Sequence, residues 1–149
     1  MAKLYPYLTF NNSKEALDYY GRVFGATNIQ RVTPQVEQAA AFKLTASELD
    51  KATIHASFSI LGTELFCSDC FGYEMTSGNQ ISIMLDINSE DPEAVIEAEA
   101  FYQRLVESKT VTVSMPYEPQ FWGGKMGAFT DQYGIPWMLH SQPYSKQQK

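Results

Sequence analysis

The chain has 149 residues, of which 44% are hydrophobic and 19% charged, a balance that suits one compact domain with an ordinary core. A formal net charge of −6 argues against a nucleic-acid partner, because phosphate binding rests on clustered Lys and Arg, and the basic tail Lys146 to Lys149 reads as a polar end. No apolar run approaches the ~20 residues of a membrane span, and MAKLYPYLTF lacks the basic-then-apolar layout of a secretory signal, so the expectation is a cytoplasmic protein with no membrane partner.

In chain order, the aromatic run LYPYLTF predicts a strand. NNSKEALDYYGRVFG predicts a helix, with Asn12 as N-cap, Glu15 as its capping partner, Leu17, Tyr20 and Phe24 at helical spacing, and Gly25 as terminator. NIQRVTP and AAAFKLTA each read as a strand edge, and SELDK as a loop. ATIHASFSILGTELFCSD holds two β-leaning runs about Leu61-Gly62-Thr63, a hairpin with Gly at its tip. ISIMLDI alternates, with Ile81, Ile83, Leu85 and Ile87 on one face and Ser82, Met84 and Asp86 on the other. A second helix follows, capped by Asp91, opened by Pro92 and striped by Val95, Ala98, Tyr102 and Leu105. TVTVSMPYEPQFWGG predicts a short strand and a loop, and KMGAFTDQYGIPWMLH a closing hairpin about Gly134.

Cys67 and Cys70 form one C-x-x-C, but no second pair completes a zinc site and no helix starts at the motif, so two reduced thiols are expected. Leu8-Thr9-Phe10-Asn11 before the first helix matches Leu85-Asp86-Ile87-Asn88 before the second, and Gly62 matches Gly134. The offset of about 75 residues indicates one strand–helix–strands unit used twice.

These paired units, with D-x-x-G-x-x-W in the last hairpin (Asp131, Gly134, Trp137), resemble the vicinal oxygen chelate superfamily of glyoxalases, bleomycin-resistance proteins and extradiol dioxygenases. PYLTF, EALDYYGRVFG, IHASFSILG, ELFCSD and FWGGKMGAFTDQYGIPWML look like its PhnB-like branch. The resemblance implies an α+β fold in which paired βαβββ modules, about 1–75 and 76–149 within a single glyoxalase-like domain, form a curved mixed sheet around a cleft. It also implies a homodimer. Where metal-dependent members carry ligands to a divalent ion, this sequence aligns Tyr5, Phe66, Ser82 and Met138, none of them a good ligand, so no cofactor is predicted. Members of the branch carry a ubiquinone-pathway methyltransferase label, yet the Gly-rich GGKMG leads into a strand and offers no helix N-terminus for a phosphate.

Strand parity supplies a separate inventory. Tyr5, Tyr7, Phe66, Ser82, Met84, Asp86, Phe129 and Met138 are expected to line the cleft, with Trp122 over its mouth in a Pro- and Gly-rich loop. Trp137 shares parity with Leu139 and reads as core. His55 and His140 fall on the cleft side as candidate catalytic bases. One reading is a small-molecule binding protein with an aromatic-lined cleft; the other is a divalent-metal enzyme, a lyase, isomerase or oxygenase, using a non-standard set drawn from His55, His140 and Asp69 or Asp86.

Overall fold

A computed structural model describes residues 1–146; most of the basic tail lies outside them. The chain divides into two compact units, Met1–Thr76 and a second beginning at Ser77. The first contains β1 (Tyr7–Phe10), α1 (Ser13–Val23), β2 (Thr27–Val32), β3 (His55–Ile60) and β4 (Thr63–Asp69). The second contains β5 (Ile83–Asn88), α2 (Pro92–Ser108), β6 (Thr112–Pro119), β7 (Lys125–Thr130) and β8 (Pro136–Gln142). Each unit has one four-stranded sheet, ordered β1-β4-β3-β2 in the first and β5-β8-β7-β6 in the second. The β1–β4 and β5–β8 pairs are parallel and the rest antiparallel, which gives the α+β class the repeat implies.

Both helices form where their caps place them. Asn12 accepts the Glu15 N–H at 3.1 Å, and α1 turns Ala16, Leu17, Tyr19, Tyr20 and Val23 inward. Phe24 and Gly25, the latter with φ +67°, end it. The Asp91 side chain accepts the Glu93 and Ala94 N–H groups with Pro92 at the first helical position. The buried face of α2 is Ala98, Phe101 and Leu105, leaving Val95 and Tyr102 half-buried, because Phe101 packs toward Phe129 at 6.5 Å. In the first unit Leu61 and Gly62 both take positive φ, +49° and +78°, as a two-residue turn joining right-twisted strands requires.

Three expectations are corrected. AAAFKLTA is no strand: two short 3₁₀ turns, Val36–Gln38 and Ala46–Glu48, bracket it, and its N–H groups bond locally, Phe42 to the Gln38 carbonyl at 3.2 Å and Leu44 to the Ala39 carbonyl at 2.9 Å. Reciprocal side-chain caps, Gln35 with Gln38 and Thr45 with Glu48, hold both turns. Ile81 and Ser82 precede β5 and are exposed, because β8 leaves its turn only at Pro136 and Ile83 is the first residue with a partner on it. The short strand after α2 is the eight-residue β6, which admits Pro116 and Pro119 because it lies at the sheet edge and shifts register twice. At one of those shifts the Tyr117 backbone crowds Gly127, where an added Cβ would stand 2.9 Å from Tyr117 Cα. β2, the outer strand of the other sheet, has its own register shift at Asn28, whose φ is +51°.

Candidate functional site

Strand β8 alternates cleanly. Trp137, Leu139 and Ser141 are buried, while Met138, His140 and Gln142 are half-buried on the opposite face. The parallel register sets Met84 beside Met138, Asp86 beside His140 and Asn88 beside Gln142. Asp86 Oδ1 lies 2.8 Å from His140 Nδ1, and the side chains are 27% and 12% exposed, so the pair is held yet reachable. A carboxylate only accepts, so Nδ1 carries a proton in this pair and Nε2 is the ring nitrogen turned away from Asp86. Gln142 Nε2 donates to Asp86 Oδ2 at 3.4 Å, and the Tyr144 hydroxyl donates to the Asp86 main-chain oxygen at 2.8 Å.

The loop between β6 and β7 completes this face. Gln120 N–H donates to the Gly124 carbonyl at 2.7 Å and Gly123 N–H to the Gln120 carbonyl at 3.1 Å, closing a turn that carries Phe121 and Trp122. The two rings meet edge-on at 5.0 Å, and Trp122 is 51% exposed. A Cβ added to Gly124 would stand 3.2 Å from His140 Nε2 and 3.3 Å from Trp122 Nε1. The Ser141 carbonyl oxygen is nearer still at 3.1 Å, so the imidazole, the indole and the main chain all border Gly124, and any side chain there would press on them.

Phe129 does not line this face, which corrects the expectation. It is 1% exposed, directly opposite Trp137 in the β7–β8 register, and parallel to it at 6.5 Å. Cross-strand partners share a side, so the pair belongs to the α2 core. Beneath it the Asp131 carboxylate accepts the Tyr133 and Ile135 N–H groups at 2.9 and 3.1 Å and the Trp137 indole N–H at 2.9 Å. The D-x-x-G-x-x-W motif thus builds a turn and a core. Ser82, exposed ahead of β5, lies outside the strand face as well.

In the first unit the face away from α1 gathers rings. His55 lies 5.1 Å from Phe66 and 6.0 Å from Tyr7, and Tyr5 lies 4.8 Å from Phe66. Asp69 has structural employment: its two carboxylate oxygens accept Ser13 N–H at 2.7 Å and Thr53 N–H at 2.9 Å, anchoring the start of α1. Burial pushes the Cys67 thiol up to about 11, so it is an inert packing group, while Cys70 Sγ donates to the Tyr73 carbonyl at 2.8 Å. An open groove between α1 and β2 carries less chemistry. Its Arg31 already bonds the Asp50 and Ala52 carbonyls and Thr53 Oγ1.

The sequence pattern of the 3-demethylubiquinone-9 3-methyltransferase family matches residues 2–140. The chain belongs to that family. Similar proteins include YjdN of Escherichia coli strain K12, 27% identical over 92% of this chain and 93% of that one. Among solved structures, PA1353 from Pseudomonas aeruginosa superposes with a TM-score of 0.67 at 28% identity, covering 96% of this chain and 99% of that one. FosX from Listeria monocytogenes, in complex with Mn(II) and sulfate, superposes at 0.60 with 16% identity, covering 99% and 98%. The fold is thus that of the glyoxalase, bleomycin-resistance and dioxygenase superfamily, as the sequence motifs implied.

Manganese in that neighbour prompts a fit test here. Tyr5, Phe66, Ser82 and Met138 supply neither imidazole, carboxylate nor thiolate. In the set His55, Asp69 and His140, Asp69 is committed to two backbone N–H groups. Asp86 is likewise committed to His140 and Gln142, and among the described residues no three His, Cys, Asp or Glu side chains converge. The donors among the described residues do not fit a resident divalent cation.

Proposed function

We propose that this family member is a small-molecule binding protein of the glyoxalase/bleomycin-resistance type, whose ligand seats on the second unit's sheet face beside His140 and Trp122. The observation that carries the reading is the Asp86–His140 pair, whose Nε2 lies against the same glycine as a half-exposed indole. Ligand sites join apolar surface to a few fixed polar groups; here Met84, Met138 and Trp122 offer the first, and an oriented imidazole the second. The rings of Tyr5, Tyr7, Phe66 and His55 give the first unit a ligand-contacting surface of its own. A membrane role has no support in the helices, since among the described residues none is long and apolar enough to cross a bilayer.

The same pair favours a second reading, proton abstraction from a bound substrate by His140. A carboxylate that fixes the tautomer is what a general base needs. The methyl transfer in the family's description belongs to that description; no residue around His140 calls for it.

The test is a fluorescence titration with a panel of small aromatic compounds. Trp122 is the reporter, because Trp137 is buried. Saturable quenching is expected in the wild type, its loss in Trp122→Phe, and affinity weaker by roughly fivefold to tenfold in His140→Ala, the worth of one hydrogen bond. No saturable response from any compound sinks the binding reading. Thermal stabilisation by stoichiometric Mn(II), Zn(II) or Ni(II), abolished in His140→Ala, turns it toward a metal enzyme instead.

A further inference from the structure

We propose a second binding site, in the groove between α1 and β2 of the first unit, for a small organic carboxylate: an anion with a short apolar body. The site belongs to the first unit alone and does not rest on the reading of His140 and Trp122. Ile29 and Arg31 are two residues apart on β2 and so share one side of it. That side meets the helix, since Ile29 Cδ1 lies 3.7 Å from where a Gly21 Cβ would stand. Leu17 of α1 and Ile29 give the groove an apolar floor, in a space of about 740 Å³. Small-ligand clefts span roughly 300–1,000 Å³.

Charge then selects the occupant. Arg31 is fixed by bonds to neutral acceptors only: Nη1 donates to the Ala52 carbonyl at 3.0 Å and to Thr53 Oγ1 at 3.2 Å, and Nη2 to the Asp50 carbonyl at 2.8 Å. A guanidinium carries five N–H groups. The Nε–H and one Nη2 N–H therefore have no protein acceptor among the described residues, and no carboxylate there forms an ion pair with Arg31. Lys14 and Lys51 line the same groove, both exposed and both outside those ion pairs. Of the two carboxylates on its wall, Asp18 is engaged by Arg22 at 3.1 Å, which sets Glu15 against three cations.

A positive groove on a chain of formal net charge −6 favours an anion over a neutral or cationic ligand. A planar carboxylate suits a guanidinium with N–H groups to spare. Arg31 is already held, so little of its freedom remains to be lost on binding. Inorganic phosphate would meet the cations but leave Leu17 and Ile29 uncovered. An uncharged apolar compound would cover the floor and leave the guanidinium unserved.

The test uses the full chain, ¹⁵N-labelled, at neutral pH and low salt, with hexanoate, its uncharged amide hexanamide and inorganic phosphate as probes. The readout is the arginine Nε–H resonances, from Arg22, Arg31 and Arg104. The exposed changes Arg22→Lys and Arg104→Lys identify that of Arg31 by elimination. Hexanoate is expected to shift the Arg31 resonance saturably and to bind roughly tenfold or more tighter than hexanamide, the worth of hydrogen bonds to a charged group. Lys51→Gln, on an exposed side chain, is expected to weaken hexanoate about twofold to fivefold. Equal binding of hexanamide overturns the selection by charge, and equal binding of phosphate overturns the role of the apolar floor. No saturable shift at Arg31, or one spread evenly over the three arginines, overturns the site. A hexanoate response confined to the Trp122 indole resonance does the same while leaving the binding reading standing. The wild-type comparison decides the inference without any variant at Arg31.

Discussion

The two units build the same parallel strand pair and spend it differently. In the first, the cross-strand pair facing away from the helix is Thr9 with Ser68; at the matching place in the second it is Asp86 with His140. One step earlier, Tyr7 with Phe66 corresponds to Met84 with Met138. On the helix side the partners stay apolar in both, Leu8 with Cys67 and Leu85 with Leu139. Core packing constrains one side of each strand to hydrophobic residues of suitable volume. The other side is free of that demand, and there a pair of hydroxyls has become a carboxylate and an imidazole.

The largest test of this comparison concerns the core. Trp137 matches Leu65, and both are essentially buried. Trp137→Ala is expected to cost about 4–5 kcal/mol, against about 2–4 for Leu65→Ala, because it leaves a cavity beside Phe129 and also takes a donor from the buried Asp131 carboxylate. Urea unfolding measures both, and equal losses would show that the indole N–H contributes nothing. The next effect is smaller. Gly127 matches Ala56, but the second unit brings the Tyr117 backbone to within 2.9–3.0 Å of where a methyl would stand. Gly127→Ala should therefore destabilise by about 1–3 kcal/mol from overpacking, whereas Ala56→Gly should cost only about 0.5–1 kcal/mol from strand flexibility. Stability unchanged in Gly127→Ala would mean that β6 yields.

The smallest effect separates the strand ends. β4 finishes at Asp69, tied to the start of α1, while the segment after β8 is tied by Glu90, which accepts the Ser145 N–H at 2.8 Å and the Ser145 hydroxyl at 2.7 Å. Those bonds, the main-chain N–H first, hold the Glu90 carboxyl below its ordinary value. A depressed folded value means that the tie is complete above the ordinary Glu range of ~4.3 and is lost as pH falls through the lower folded value. Amide exchange at Ser145 should accordingly quicken only at pH values below the ordinary Glu range, while that of the β8 core holds. Exchange at Ser145 that ignores pH, after correction for intrinsic rates, would break the assignment.

What the sequence made legible was local. Caps at Asn12 and Asp91 located both helices, Gly62 and Gly134 located turns, and alternation separated Met138 and His140 from Trp137 and Leu139. What it hid depended on pairing. Phe129 was placed on the wrong side because its side is fixed by its partner Trp137 across a turn, although counting outward from Asp131–Gly134 to that partner would have found it. Ile81 and Ser82 fit the alternation of ISIMLDI but outrun the strand that pairs with them. Asp69 as an anchor for Ser13, 56 residues away, has no signal in spacing. The meeting of Trp122 with His140 over Gly124 has none either, since it needs the loop turned back onto the sheet.

The prolines of β6 bear on how concentrated protein should behave. Pro116 and Pro119 each lack the N–H that an incoming strand would pair with, and the register shifts twist the rest of that rim away. The corresponding outer strand β2 is interrupted at Asn28. Neither rim offers a continuous hydrogen-bonding template, so both outer hairpins are guarded against the edge-to-edge growth that begins cross-β aggregation.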